Sequence, residues 1–321
     1  MTQPATSPVP SVPTPGTLAF TKGHGTQNDF VLIADPEGLL DLTPADVRRL
    51  ADRRAGIGGD GVIRLAPTAA LASAGEEAAQ VALAQDPTAE WFMDYRNADG
   101  SVAEMCGNGV RVFAAFAEQE GLADLSAGPL SLGTRAGVKR VTKEAGGWYA
   151  VDMGRWFLPG GESAAADGYD AAVAVRGWSA PRPALSVDLG NPHTVVALAS
   201  VEELAALELF HAPEVAPVPP HGTNVELVVP LGEEEGPDGV VGRLRMRVHE
   251  RGVGETPSCG TGACAAALAV RTWQGGSSGD GAPDTWMVEV PGGEVRVRVL
   301  PGGNVELAGP AELVYSGRVS L

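Results

Sequence analysis

The chain has 321 residues, of which 44% are hydrophobic and 20% are charged, a composition typical of a globular protein with about two domains. The formal net charge of −17 argues against nucleic acid or an anionic membrane as a partner, because the sequence has no basic patch or basic helix. No stretch approaches the roughly 18 apolar residues of a membrane-spanning helix. Three cysteines are too few for a secreted disulfide framework, so we expect a cytoplasmic protein.

The predicted elements begin after residue 16. Residues 1–16 are rich in proline, threonine and serine and lack the basic and apolar regions of a secretory signal, so we predict a disordered leader. Capping boxes predict short helices after Thr43 and Ser200, whereas apolar periodicity ending on glycine predicts two longer, buried helices over 108–121 and 261–276. Short β-rich runs fill the intervals between these helices.

Two regions depart from this alternation of strands and helices. Residues 66–90 are rich in alanine, which predicts a surface insertion that is helical or mobile. Residues 232–239 are charged and bounded by glycine, which predicts a hairpin loop. We expect neither region to contribute to chemistry.

The two halves of the chain resemble each other. Residues 91–109 (WFMDYRNADGSVAEMCGNG) align without a gap with residues 244–262 (LRMRVHERGVGETPSCGTG), and a strand, a glycine turn and a strand follow each helix. The repeat predicts an α+β fold of two similar domains related by a pseudo-twofold axis. Each would be a curved, mostly antiparallel, barrel-like sheet around a buried helix, with the active site in the cleft between them. We assign 17–152 with 311–321 to the N-terminal domain and 153–310 to the C-terminal domain.

Each half places a cysteine directly before Gly-x-Gly at the start of a buried helix, Cys106 in the first and Cys259 in the second. One such loop alone is most simply a tight turn over a buried thiol, but two copies at matching positions favour a functional pair. The helix N-terminus should depress the thiol pKa, and its free N–H groups should bind a carboxylate. The third cysteine, Cys264, faces another side of its helix and is expected to pack in the core.

A pseudo-twofold axis would bring the two thiols to opposite faces of one carbon atom. Given about 3 Å for each contact, the two sulfurs would lie roughly 6–7 Å apart. Such a pair suits two-base inversion, in which one thiolate removes the α-proton and the opposing thiol returns a proton to the other face. Carboxylate binding by the helix N-termini would stabilise the carbanionic transition state.

The motifs KGHGTQNDFV, RRAGIGGDG, YRNADGSVAEMCGNGVRVFA, DLGNPH, GTNVE, HERGVGETPSCGTGACAAA and VYSG resemble those of the diaminopimelate epimerase family. The resemblance runs from about Phe20 to Leu321, outside the 66–90 insertion. It implies interconversion of LL- and meso-2,6-diaminopimelate on the route to lysine and peptidoglycan precursors. It also implies that no metal and no cofactor take part, and that the partner is a small-molecule substrate.

The resemblance assigns roles to individual positions. It makes Cys106 and Cys259 the catalytic pair, and it makes His193 and Glu250 the groups that tune the thiol pKa values. It associates Tyr315 with a homodimer. The substrate-binding positions that it implies are Asn28, Asn97, Gly107, Asn108, Asn191, Asn224, Glu250, Arg251, Gly260 and Thr261. Gly61 departs from the pattern, because the family often has glutamine there as a substrate contact.

Alternatives remain open from the sequence. Each asparagine taken alone could be a turn or cap residue. Proline racemase and hydroxyproline epimerase are similar two-thiol enzymes, but they tend to carry histidine where Asn108 stands and they lack the Glu250 and Arg251 pair. A non-catalytic, redox-sensing metabolite-binding protein would also use two reactive cysteines.

Overall fold

The computed structural model describes residues 17–237, 239–275 and 281–321. The predicted leader, residues 1–16, lies outside these ranges, as does residue 276 at the predicted end of the second long helix. The first half of the chain consists of the following elements: β1 (Thr17–Gly25), β2 (Asn28–Ala34), α1 (Pro44–Ala51), β3 (Gly61–Pro67), α2 (Thr68–Ser73), α3 (Glu77–Gln85), β4 (Trp91–Asn97), α4 (Gly107–Gln119), β5 (Leu130–Thr134), β6 (Gly137–Lys143) and β7 (Tyr149–Arg155).

The second half repeats this order with additions. Its elements are α5 (Gly161–Asp167), β8 (Ala171–Ala174), β9 (Arg182–Asp188), β10 (Pro192–Ala197), α6 (Val201–Ala206), β11 (Glu214–Ala216), β12 (Asn224–Gly236), β13 (Gly239–Glu250), β14 (Gly254–Thr256), α7 (Gly260–Gly275), β15 (Thr285–Val290), β16 (Gly293–Val299), β17 (Asn304–Gly309) and β18 (Glu312–Ser320). The segment predicted as a charged hairpin loop is largely strand instead, because residues 232–236 end β12 and pair with residues 239–243 of β13.

The strand pairings confirm the duplication. In the first half β2 and β3 are parallel, β3 and β4 antiparallel, and β4 and β5 parallel. In the second half the same sequence of directions joins β10 to β12, β12 to β13, and β13 to β15. Each half then ends in an antiparallel meander, which is β5–β6–β7 in the first half and β15–β16–β17 in the second.

Each half of the sheet wraps around one long helix. Helix α4 contacts β1, β2, β3, β6, β7 and β18. Helix α7 contacts β9, β10, β12, β13, β15, β16 and β17. Both helices are buried along most of their length, because their apolar and small side chains face strands on several sides. The sheet is curved but open, running from β18 at one end to β11 at the other, so it approaches a barrel around each helix without closing into one.

Two pairings tie the halves together. Strand β17 lies antiparallel to β7, and β18 returns to pair with β1. The return of β18 agrees with placing 311–321 beside the first half, while the domain boundaries themselves stay a prediction. No helix within the described ranges is long and apolar enough to cross a membrane.

Local signals in the sequence are confirmed at both short helices. The Thr43 side chain accepts from the Asp46 amide in a capping box, and the Ser200 side chain accepts from the Glu203 amide. The 66–90 segment contains the helices α2 and α3. It is well packed, since Ala79 is fully buried in a small apolar cluster with residues of α2 and β4.

Candidate active site

Both cysteines line one large cleft that receives residues from both halves of the chain. The cleft has a volume of about 1060 Å³. All of the positions that the sequence predicts to bind substrate line it, namely Asn28, Asn97, Gly107, Asn108, Asn191, Asn224, Glu250, Arg251, Gly260 and Thr261. The structure thus gathers these positions in one place, while their individual roles stay predictions.

The N-termini of α4 and α7 meet at the floor of the cleft. Gly109 N donates to Cys106 Sγ at 3.4 Å, and Gly262 N donates to Cys259 Sγ at 3.3 Å. A Cβ atom added at Gly260 would lie 3.3 Å from Asn108 Oδ1 and 2.9 Å from Leu307 Cδ2. The two helix starts are therefore in contact, so glycine at the first position of α7 allows the two positive ends to converge.

Burial outweighs the helix N-termini in setting the thiol pKa values. Burial raises the pKa of Cys106 to about 11, and the Gly109 amide offsets only part of that rise. Burial and the carboxylates of Glu250 and Glu226 raise the pKa of Cys259 well above its usual range. The prediction of depressed thiol pKa values is therefore wrong, because removal from water disfavours a thiolate more strongly than two amide groups favour it.

Asn28 is held in one orientation beside Cys106. Its amide nitrogen donates to Asp60 Oδ2 at 2.7 Å, and Asp60 is itself paired with Arg53. A carboxylate only accepts hydrogen bonds, so the Asn28 oxygen must face the other way. That oxygen lies 3.3 Å from Cys106 Sγ and also accepts from Asn108 Nδ2 at 3.3 Å.

A buried polar network connects the two cysteine loops. Asn108 Nδ2 lies 3.2 Å from both the carbonyl oxygen and the hydroxyl oxygen of Ser258, which directly precedes Cys259. Ser258 Oγ is 2.6 Å from Thr26 Oγ1, and Arg111 donates to that threonine at 3.4 Å. Contacts among groups far apart in sequence thus fix one loop relative to the other.

The surroundings of Cys259 are also polar. Thr261 Oγ1 lies 3.6 Å from Cys259 Sγ and accepts from Asn191 Nδ2 at 3.2 Å. His193 does not line the cleft; it is buried behind Asn191, with Nε2 3.2 Å from Asn191 Oδ1. Any influence of His193 on the thiol must therefore pass through its neighbours.

Glu250 and Arg251 point in different directions although they are adjacent in sequence. Glu250 accepts from the hydroxyl of Thr256 and interacts with Cys259, and burial raises the pKa of its carboxyl group. The exposed Arg251 side chain donates to the carbonyl oxygen of His221 at 2.8 Å. Its backbone amide donates to Asn224 Oδ1 at 2.9 Å. The carboxylate therefore faces the second thiol, and the guanidinium faces the mouth of the cleft.

Gly61 has no room for a side chain. A Cβ atom added there would lie 2.4 Å from the Arg96 carbonyl oxygen and 2.6 Å from Tyr95 Cε2. The Tyr95 ring fills this place and lines the cleft, while it packs edge-on against Phe30. Its hydroxyl makes no hydrogen bond to any residue that the structure describes.

Sequence reasoning missed several residues that shape the site, and two of them left a signal. Arg111 interrupts the apolar run of α4, and Glu226 interrupts the apolar strand β12, yet both are fully buried. A charged residue at a predicted core position generally needs a special reason. Ser258 and Thr26 left no comparable signal, because serine and threonine are common in turns.

Tyr315 lies away from the cleft, on β18. It is 48% exposed, and its ring packs edge-on against Phe20 with centroids 6.0 Å apart. Within the described part of the chain, β1 is the strand with which β18 pairs. Over the same part of the chain, no group of three or more His, Cys, Asp or Glu side chains is arranged to hold a metal ion.

Comparison with known proteins shows which family the sequence matches. The model of the diaminopimelate epimerase family matches residues 20–158 and 185–314. Diaminopimelate epimerase of Streptomyces coelicolor is 46% identical over 303 residues, covering 94% of each chain, and that of Thermobifida fusca is 44% identical over 308 residues, covering 95% of this chain and 98% of its own.

Solved structures share the fold at low identity. A phenazine biosynthesis protein of the PhzF family from Bacillus anthracis is 14% identical with a TM-score of 0.60, over 95% of this chain and 99% of its own. A hydroxyproline epimerase from Agrobacterium vitis is 15% identical with a TM-score of 0.56, over 96% and 93%. These two proteins share the fold of this chain, and the extent of the sequence match shows that this chain belongs to the diaminopimelate epimerase family.

Proposed function

We propose that this protein is a diaminopimelate epimerase that interconverts LL-2,6-diaminopimelate and meso-diaminopimelate. The observation that carries the proposal is the convergence of two matched cysteine loops, one from each half, on a single cleft where their helix N-termini touch. Two opposed thiols and a carboxylate-binding floor are the parts that inversion at an α-carbon requires. The names of the full-length relatives supply the substrate.

The reaction moves one proton onto the enzyme and one off it. A thiolate at Cys106 or Cys259 forms an S–H bond as the α-C–H bond breaks, and the electron pair is delocalised into the α-carboxylate. The opposing thiol then gives its proton to the other face, which leaves that sulfur as the thiolate. Backbone N–H groups at Gly107, Asn108, Gly260 and Thr261 would hold the carboxylate and stabilise the charge that develops on it.

The substrate itself helps to form the thiolate. Both thiols are protonated at neutral pH, since burial raises their pKa values. The positively charged α-ammonium group of a bound amino acid would lie close to both sulfurs, and a nearby positive charge favours a thiolate. Asn28 would then bind the ammonium group through the oxygen that now faces Cys106.

The far end of diaminopimelate is a second amino acid group, which needs both donors and acceptors. Asn97, Asn191 and Asn224 provide amide groups, and Arg251 provides a cation near the mouth of the cleft. We place Tyr95 among these contacts, because its unpartnered hydroxyl faces the cleft where Gly61 offers no side chain. Glu250 would act on the thiol pKa, since it faces Cys259.

The remaining parts of the proposal concern the cell and the assembly. We propose a cytoplasmic enzyme of lysine and peptidoglycan-precursor biosynthesis that works without a cofactor and binds neither nucleic acid nor membranes. We propose a homodimer that uses β18 and Tyr315, because an exposed edge strand with an exposed aromatic side chain suits pairing with a second copy.

Proton exchange in deuterated buffer tests the substrate and the chemistry together. The protein is incubated with LL-diaminopimelate, and separately with each proline isomer, and deuterium at the α-carbon is followed by mass spectrometry. We expect deuterium to enter diaminopimelate while the meso isomer accumulates, with proline unchanged. Deuterium in proline alone would indicate a proline racemase instead. No exchange in diaminopimelate or in proline would overturn an epimerase function.

A further inference from the structure

A buried histidine and carboxyl pair lies directly behind the second thiol. His193 Nδ1 and Glu226 Oε1 are 2.7 Å apart, and neither side chain is exposed. The other carboxylate oxygen of Glu226 has no hydrogen-bond partner among the described residues. Burying an ion pair is seldom a net gain in stability over apolar residues of similar size. The pair therefore needs an explanation other than core packing.

A chain of contacts runs from this pair to the sulfur. His193 Nε2 lies 3.2 Å from Asn191 Oδ1, and Asn191 Nδ2 donates to Thr261 Oγ1 at 3.2 Å. The Thr261 hydroxyl in turn lies 3.6 Å from Cys259 Sγ. The contacts connect Glu226 on β12 and His193 on β10 to the start of α7, which provides a route from Glu226 to the cleft.

The second glycine of the Cys259 loop makes room for the carboxylate. A Cβ atom added at Gly262 would lie 2.7 Å from Glu226 Oε1 and 3.2 Å from Cys259 Sγ. Carboxylate and sulfur are thus close to the same point. This places Glu226 within the distance of about 6 Å over which a charge shifts the ionisation of a neighbour.

In the first half of the molecule, apolar side chains occupy the positions that correspond to His193 and Glu226. In the paired strands, Phe30 lies opposite Gly61 as His193 lies opposite Asn224. Phe30 thus takes the place of His193, and Ile63, two residues after Gly61, takes the place of Glu226. Both are fully buried. An apolar pair therefore fills the corresponding space behind Cys106, so the fold does not require charges at this place.

The proton count at the cleft side follows from the orientation of the Asn191 amide. Its oxygen lies 3.2 Å from His193 Nε2. An amide oxygen only accepts hydrogen bonds, so in this orientation His193 Nε2 is the donor. The Asn191 amide nitrogen must then face Thr261, as observed. A ring with this hydrogen bond cannot accept a proton from Cys259.

We propose that Glu226 is a positioning residue that acts through His193 on Cys259 alone. It has no direct access to substrate. It orients Asn191 and Thr261 and keeps the second thiol protonated. This inference rests on the proposed epimerase function. It makes Cys106 the thiol that ionises more readily, while each sulfur still acts as the base for the epimer whose α-hydrogen faces it. The charged groups that face Cys259 are Glu250 from β13 and Glu226 from β12, and His193 from β10 faces both carboxylates.

The test replaces the carboxylate by an amide of the same shape, Glu226→Gln. The rate of alkylation of each cysteine by iodoacetamide is measured across pH in the full chain, by mass spectrometry of its peptides. We expect Cys259 of the variant to react several-fold faster at mildly alkaline pH, with its reactivity curve moved to lower pH. The curve of Cys106 should not move. For the proposed reaction, kcat/KM should fall by about 10- to 100-fold, mainly in kcat, for the loss of a charge-assisted hydrogen bond.

The matched control is Ile63→Val, which trims the corresponding position behind the first thiol. It should leave both alkylation curves in place. Equal shifts at both cysteines, or no shift at Cys259, would overturn the proposal. Should Glu226→Gln fail to fold, ¹⁵N NMR of His193 in the unaltered protein decides, because an Nε2 without hydrogen contradicts the proton count.

Failure of the function and failure of this inference have different signatures. If Cys259 alkylation shifts while no deuterium enters diaminopimelate, the positioning role stands and the proposed function falls. If exchange is normal and the Cys259 curve does not move, only the positioning role falls.

Discussion

The two cysteine loops match in sequence, but different charged side chains are buried behind them. Arg111, five residues after Cys106, is fully buried in α4, and the corresponding residue of α7 is Cys264. No carboxylate among the described residues pairs with Arg111. Behind Cys259 lies instead the carboxylate of Glu226.

This difference indicates how a duplicated fold obtains two roles from one motif. Glu250 favours the protonated form of both thiols; Glu226 adds to this effect at Cys259, whereas at Cys106 Arg111 opposes it in part. A two-base reaction needs one base and one acid at the start of each turnover. The bound epimer decides which sulfur faces the α-hydrogen, and the charges around each loop affect how readily that thiol ionises.

The largest expected effect comes from removing either sulfur. Cys106→Ser and Cys259→Ser should each lower kcat/KM for epimerisation by about 10²- to 10⁴-fold, because a serine hydroxyl has no comparable population of the ionised form. Epimerisation is measured by chiral separation of the diaminopimelate isomers. Cys264→Ala is the control, since that thiol lies in the core, and it should retain activity. Near-normal turnover in either serine variant contradicts the assignment of two bases.

The next largest effect is expected in the pH dependence of kcat/KM, which reports the ionisation of the thiol that acts as the base. Below its pKa a thiol is protonated and cannot act as a base, and burial raises the pKa of Cys106 to about 11. We therefore expect kcat/KM to rise from neutral to alkaline pH, by up to about tenfold for each pH unit while the thiolate is the minor form. Initial rates at low substrate concentration measure the profile. A profile that is flat or falls over this range would contradict the protonated resting state.

Arg111→Met removes the positive charge behind the first thiol and keeps the side-chain volume. We expect the alkylation curve of Cys106 to move to higher pH and that of Cys259 to stay, with kcat/KM lower on the order of tenfold. Because a buried cation without a carboxylate partner adds little stability, the melting temperature should be unchanged or higher. Arg111→Lys, which retains the charge, is the control. Equal shifts at both thiols would break the proposed difference between the halves.

The smallest effect is expected at Tyr95, whose corresponding residue in the second half is Val248. Tyr95→Phe removes only the hydroxyl that faces the cleft, so KM should rise by about 2- to 10-fold with kcat little changed, as for one neutral hydrogen bond. Steady-state kinetics measures the change. The control is Tyr149→Phe, which loses a hydrogen bond to Glu118 outside the cleft. An unchanged KM in Tyr95→Phe would remove Tyr95 from the substrate contacts.

Much of the fold follows from short-range patterns. The capping boxes at Thr43 and Ser200 involve hydrogen bonds across three residues, and the two buried helices are marked by apolar periodicity with a glycine end. The internal alignment of Cys106 with Cys259 also predicted two similar halves, and the strand order confirms them. Such features can be predicted because each depends on neighbours in sequence or on the repeat itself.

The electrostatics of the site could not be predicted in the same way. The depressed thiol pKa was expected from the helix N-termini alone, but its sign depends on how much water the surrounding sheet excludes. The place of Tyr95 beside Gly61 likewise depends on contact between adjacent strands.

The amino-acid sequence by itself determined the duplication, the two long helices, the matching positions of Cys106 and Cys259 and the family, since all of these follow from local order and spacing. Only the tertiary structure decided that Arg111 stands behind one thiol and Glu226 behind the other, because burial and charge proximity arise from strands and helices that are far apart in the chain. The physical reason is that ionisation depends on distance through space and on solvent exclusion, neither of which a single strand or loop encodes.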